Sequence, residues 1–355
     1  MPDRSPLRRF LRSAGLSAAA VALGVVTASS PLASLAQGRS GAPVRIEGSS
    51  TVFPLMEVAV RAYEASYPDR KGSIVLKETG STAGFRRFCS GRIPMANASR
   101  PINSRELKAC AARGITFIEL PVAFDAVTVV VNPANTWLRS ISLPELSRLW
   151  SRKAQGRITR WNQVNGSWPD KPIRLCGPGK DSGTFDYFNK AINGSADSSR
   201  RDYSGSEDDN DTVRCVVNNP YALGYFGFSY YENNASRLRA LPIEGPRGTV
   251  LPSLVNVQRE LYQPLSRPLF IYVNNRALLE QPEVRSFLTF TIQRGLGFAE
   301  KAGIIPLPAD TYRVVEGKLY RHLIGTSFGG DLPIGLTISQ AIRRSFEQIR
   351  APGQR

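Results

Sequence analysis

Three short turns rich in Ser, Thr and Gly carry the chemistry legible in this chain: Gly48-Ser49-Ser50-Thr51-Val52-Phe53-Pro54, Glu78-Thr79-Gly80-Ser81-Thr82-Ala83-Gly84-Phe85 and Gly177-Pro178-Gly179-Lys180-Asp181-Ser182-Gly183-Thr184-Phe185-Asp186. Each directly precedes a stretch with helical spacing. A helix start offers unpaired backbone N–H groups and the positive end of a dipole. Glycine lets the backbone approach an oxyanion, and Ser and Thr hydroxyls add donors. Three such starts converging on one point would form an anion cage, although each alone is also what ordinary helix capping uses. A fourth segment, Ile93 to Ile102, places Arg100 just before Pro101 and so outside any helix interior. A guanidinium held there suits bidentate contact with a tetrahedral oxyanion; a salt bridge is its plainer use.

The elements that must position these turns alternate along the chain. Val44-Arg45-Ile46-Glu47 reads as a short strand. Phe53 to Tyr67 follows as a helix with Leu55, Val58, Ala59, Ala62 and Tyr63 at helical spacing, ended by Pro68. Ser73 to Lys77 gives a second strand and Ala83 to Cys89 opens a second helix. The unit of strand, turn and helix recurs, which predicts α/β architecture. Phe117 to Val131 is the longest strand-like run and a candidate crossover between two lobes, with Pro268 to Val273 as the returning strand. After about Arg343 the chain reads as polar and frayed.

The N-terminus reads as an export signal over residues 1–36. Arg4, Arg8, Arg9 and Arg12 precede the apolar run Ala14 to Ala28, and Ser34-Leu35-Ala36 offers small residues for cleavage. The run is too short for a membrane span, which needs about 20 residues. The 355-residue chain has a formal net charge of +17; removing the signal's four Arg and Asp3 leaves +14 (17 − 3). Its Arg residues are spread along the chain with no recognisable module, which argues against nucleic-acid binding. Cys89, Cys110, Cys176 and Cys215 make an even set suited to disulfides in an exported protein, with three connectivities open. Cys89–Cys110 with Cys176–Cys215 keeps each bridge within one inferred lobe. No Cys-x-x-Cys pair exists and His322 is the one histidine, so no metal or other cofactor is expected.

Four segments in this order and spacing, Gly48 to Leu55, Thr79 to Gly84, Ala96 to Ile102 and Asp181 to Phe188, resemble the phosphate-binding protein of Pst-type phosphate ABC transporters. The likeness extends to Ile141 to Leu146, Trp161-Asn162, Ala222 to Tyr225 and Ser266 to Ile271. It implies a type II periplasmic-binding architecture: two α/β lobes joined by two crossing strands, with the ligand in the cleft. Residues 37–122 with 268–355 would form one lobe and 123–267 the other. It also implies phosphate held by Ser50, Thr51 and the amide of Val52, by Ser81, and by Ser182, Gly183 and Thr184. Two positions depart from the family. Ser99 stands where better-known members have an Asp that takes the ligand's proton, and Pro178 stands where they have an Arg. Arg100 is then expected to supply the cation and Asp181 the acceptor.

The resemblance further implies a monomer outside the cytoplasmic membrane that closes on phosphate and hands it to a membrane permease. Binding of sulfate or molybdate is the neighbouring alternative. A serine hydrolase or metal-dependent phosphatase is disfavoured, because the chain has no Gly-x-Ser-x-Gly elbow and a single histidine.

Overall fold

The computed structural model describes residues 42–350, so the expected signal over 1–36 lies outside the described residues. In chain order the elements are β1 (Val44–Gly48), α1 (Phe53–Ser66), β2 (Ile74–Glu78), α2 (Ser81–Phe88), β3 (Met95–Ala98), α3 (Ser104–Ala111) and β4 (Phe117–Val131). There follow β5 (Ile141–Ser142), α4 (Leu143–Trp150), β6 (Arg174–Pro178), α5 (Gly183–Asn193), β7 (Ser204–Ser206), α6 (Asp209–Val217), β8 (Ala222–Gly227) and α7 (Phe228–Glu232). The rest comprises β9 (Arg239–Ala240), β10 (Ile243–Gly245), β11 (Gly248–Val250), α8 (Leu254–Gln258), β12 (Ser266–Asn274), α9 (Asn275–Glu280), α10 (Pro282–Gln293), α11 (Gly295–Lys301), α12 (Ala309–Tyr320) and α13 (Ile338–Arg350).

One sheet runs in the order β2-β1-β3-β12-β4-β8-β6-β7, with β9 also on β4. Its two ends are parallel (β1 with β2 and β3; β6 with β7 and β8), whereas β12 and β4 pair antiparallel with their neighbours and with each other. β4 can serve both halves because it is long. At ~3.3 Å per residue its 15 residues reach about 50 Å. It pairs with β12 over Phe117 to Ala126 and with β8 over Val127 to Val131. The register shifts between Leu269 and Phe270, opposite Pro121, whose missing N–H cannot complete the ladder. This is the expected two-lobed α/β arrangement, with β4 and β12 as its crossing strands.

Side-chain alternation in the crossing strands divides the first half's core between the two faces of the sheet. Leu269, Ile271 and Val273 point into a core with Ile46, Leu55 and Met95; Phe270 and Tyr272 join Phe85, Phe88 and Ala96 in another. The second half repeats the scheme with Val129, Trp150 and Phe188 on one face and Val130, Val213 and Phe226 on the other. Cys89–Cys110 ties the end of α2 to α3, and Cys176–Cys215 ties β6 to α6, the expected pairing. The helix α13 begins ahead of the stretch expected to fray after about Arg343 and continues to Arg350; its first turns bury Ile338 and Ala341 in the core of the second half.

Candidate functional site

The glycines explain how the turns approach one another. Gly80, before α2, has φ 79°, a conformation that L side chains rarely adopt. It packs against the Asp181 carbonyl, which accepts a hydrogen bond from Thr82 N at 2.8 Å. Gly183 opens α5, and a Cβ there would fall 2.5 Å from Ser81 Oγ and 2.7 Å from Ser99 Oγ. The starts of α2 and α5 therefore meet with no room for a side chain between them. α1 completes the group, since Thr51 Oγ1 lies 3.1 Å from Thr184 Oγ1. Ser50, Thr51, Ser81, Ser99, Ser182 and Thr184 are all buried. Val52 places its side chain in the first half's core, which leaves only its backbone to face the turn.

Each hydroxyl has a defined local role. Ser81 Oγ accepts from Ser99 N at 3.0 Å and lies 3.3 Å from Ser99 Oγ. Ser182 Oγ caps α5 by accepting from Thr184 N (3.1 Å) and Phe185 N (3.4 Å). Capping occupies that oxygen's lone pairs and leaves its O–H as a donor. Capping and anion binding are thus compatible at one residue.

The cation beside these hydroxyls is Arg267, on β12. It is wholly buried and faces Asp125 across the crossing strands, donating through Nε (3.0 Å) and Nη2 (2.7 Å) to Asp125 Oδ2. Nη2 also reaches Thr184 Oγ1 at 2.8 Å and Thr51 Oγ1 at 3.2 Å, so it touches both sides of the seam. Asp125 is held in turn by Phe228 N at 2.8 Å. Nη1 of Arg267 is buried and has no hydrogen-bond partner among the described residues. A buried cationic donor without an acceptor is costly, and an anion is what would satisfy it.

Three carboxyl groups also lie close to the turns. Asp209, the first residue of α6, is buried, and its Oδ2 accepts from Ser50 Oγ at 3.2 Å. Its Oδ1 is buried without a partner among the described residues. Burial, then the nearby Glu78, push Asp209 up to about 8; Ser50 and Arg267 oppose the shift. Glu78 is itself raised to about 7 by burial and by Asp208, and Tyr230 donates to it at 3.4 Å and to Ser50 O at 3.2 Å. Glu207 is raised to about 7, chiefly by burial, while it accepts from Asp181 N at 3.0 Å.

Two expected site residues are placed otherwise. Arg100 is buried beside the seam, but all five of its N–H donors are taken by protein. Nε donates to Asp186 (2.7 Å), Nη1 to Pro101 O (3.0 Å) and Glu106 (2.8 Å), and Nη2 to Glu106 (2.7 Å) and Thr82 Oγ1 (2.8 Å). None remains for a ligand. Asp181 turns its carboxylate outward to Arg86 at 2.9 Å and gives the seam only its carbonyl, so it is not the interior acceptor. The ionisable groups that reach the hydroxyls of Ser50, Thr51 and Thr184 are instead Asp209 and Arg267, the latter with its partner Asp125. A sequence signal for Arg267 and Asp125 existed: a charged residue inside an otherwise apolar strand, as in Phe124-Asp125-Ala126-Val127 and Arg267-Pro268-Leu269-Phe270, must find a partner when buried. Asp209, in the acidic run Glu207-Asp208-Asp209, carries no such signal. His322 sits at the end of α12, with Nδ1 2.7 Å from Asn275 Oδ1, and makes no hydrogen bond to Ser182.

Residues 28–294 match the family model described as the PBP superfamily domain. Protein SphX of Synechocystis sp. is 45% identical over 307 residues, covering 86% of this chain and 90% of that protein. The phosphate-binding protein PstS of Staphylococcus epidermidis is 34% identical over 268 residues, covering 75% and 79%. Among solved structures, a substrate-binding protein from Clostridium perfringens assigned to phosphate ABC transport, with phosphate bound, superposes with a TM-score of 0.61. It shares 25% identity and covers 75% of this chain and 100% of that one.

Proposed function

Since the chain belongs to the periplasmic-binding-protein superfamily and, within it, to the Pst-type phosphate-binding proteins, we propose that it captures inorganic phosphate between its lobes and delivers it to an ABC transporter permease. The observation that carries this reading is Arg267 Nη1, a buried cationic donor without a protein acceptor, set among the hydroxyls of Thr51 and Thr184.

In this reading Ser50, Thr51, Ser81, Ser99, Ser182, Gly183 and Thr184 surround the anion with hydroxyl and amide donors, the amide of Val52 included. Arg267 supplies the charge and Asp209 the one carboxyl group. The lobes are residues 37–122 with 268–355, and 123–267, and bending within β4 and β12 opens the cleft. The protein works as a monomer outside the cytoplasmic membrane, and no helix among the described residues is long and apolar enough to cross one. It binds without turnover: His322 makes no hydrogen bond to Ser182, whose oxygen lone pairs are taken by capping while its O–H faces the anion.

Calorimetry on the exported form tests the proposal. One phosphate should bind per chain, with no hydrolysis of a generic phosphomonoester. Absence of phosphate binding, or hydrolysis abolished by Ser182→Ala, would overturn it.

A further inference from the structure

We infer that Arg100 and Asp186 are positioning residues that lock the start of α5 against the start of α2, and so hold the cleft shut over the anion without touching it. The inference rests on the phosphate-capture reading only in taking the space between these helices as the anion's place.

Arg100 is built as a fixture of the first half. Glu106 binds it through both carboxylate oxygens, at 2.7 and 2.8 Å, and the same Glu106 closes the capping box of α3 with Asn103. The Pro101 carbonyl and Thr82 Oγ1 take two further donors, and the guanidinium carbon lies 5.4 Å from the Phe85 ring centroid. These partners all belong to the loops and helices around β3. One donor is left, Nε, and it goes to Asp186 Oδ2 on α5, in the other half. Asp186 Oδ2 also accepts from Thr82 Oγ1 at 3.1 Å. The carboxylate of Asp186 is thus held across the seam by two donors, both of them from the first half.

Position along α5 gives this contact its consequence. Asp186 lies three residues beyond Gly183 and two beyond Thr184, less than one helical turn, or about 5 Å of axial rise. A helix is stiff over that distance, so fixing Asp186 fixes where Gly183 and Thr184 stand relative to Ser81, Ser99 and Arg267. Opening would leave Arg100 still paired with Glu106 and would return only Asp186 to water. The bond therefore favours the closed arrangement without leaving a buried charge orphaned in the open one. A lock of this kind slows ligand escape, and its removal does not slow entry.

Stopped-flow phosphate binding on four proteins provides the test: parent, Asp186→Asn, Arg100→Gln and the double variant. The expected result is a phosphate off-rate raised about tenfold or more in each single variant, an on-rate equal to or above the parent's, and a double variant no worse than the more severe single one, because both act through one contact. Should Arg100→Gln fail to fold, Thr82→Val, which removes the second donor to Asp186, takes its place with the same expectation. Unchanged off-rates, a loss confined to the on-rate, or multiplying effects would overturn the inference. A parent that binds no phosphate overturns the capture reading alone. The lock is then judged by ligand-free X-ray scattering of the same proteins: a larger radius of gyration in Asp186→Asn supports it, and identical radii overturn it.

Discussion

Arg267 and Asp209 have opposite reasons for being in the site, and each can be tested by itself. Arg267 is a desolvated cation with one donor group to spare. Removing such a partner from a buried charge contact costs about 2–5 kcal/mol, or roughly thirty-fold to several thousand-fold in affinity. Arg267→Gln should therefore weaken phosphate binding by at least that lower factor in a titration at fixed salt. Arg237→Ala, an exposed side chain of the second half, should bind as the parent does. Asp209 is a carboxyl group whose burial holds its proton up to about pH 8. Below that pH it is neutral and donates to any oxyanion; above it, it is a carboxylate that tolerates only an anion bringing its own proton. The phosphate-to-sulfate affinity ratio should therefore rise as pH passes about 8, and Asp209→Asn should abolish that rise. The same shift predicts stability. Between the ordinary Asp value of 3.8 and about 8 the folded form holds a proton that the unfolded form has lost. The Asp209 contribution to stability thus falls as pH rises through that window. Thermal melts across pH should show Asp209→Asn gaining on the parent up to about pH 8.

At the scale of elements, the site is a meeting of helix starts, and its tightest tolerance is at Gly183. The residue is not needed for a left-handed backbone, because it sits in the first turn of α5 after a cap of ordinary extended geometry at Ser182. It is needed because Ser81 and Ser99 occupy the space of a side chain. Gly183→Ala should fold normally, since alanine suits a helix at least as well as glycine. It should nevertheless lose most phosphate affinity, because α5 could no longer seat against α2. A normal melting temperature with parental affinity would show that the two helix starts do not close on the ligand.

At the scale of the whole molecule, the two-lobed fold follows from a long strand that changes partners, and much of that was legible in the chain. Phe117 to Val131 was expected as one extended crossover and is β4; the Gly/Ser/Thr turns were expected before helices and stand before α1, α2 and α5. These features are local: turn residues, apolar spacing and strand length act over a dozen residues and need no distant partner. The interior charges could not be reached that way. Asp125 and Arg267 are 142 residues apart and become a pair through the antiparallel register of β4 and β12. Ser50 and Asp209 are 159 residues apart and meet where the two halves close. Arg100 satisfied every local requirement of an anion ligand, and its neighbours decided otherwise, because Glu106 and Asp186 reach its donors first. Local residue order was enough to mark the turns that could donate to an anion. Which guanidinium keeps a donor for a ligand was set by packing, because each has just five N–H groups and its neighbours determine how many are taken.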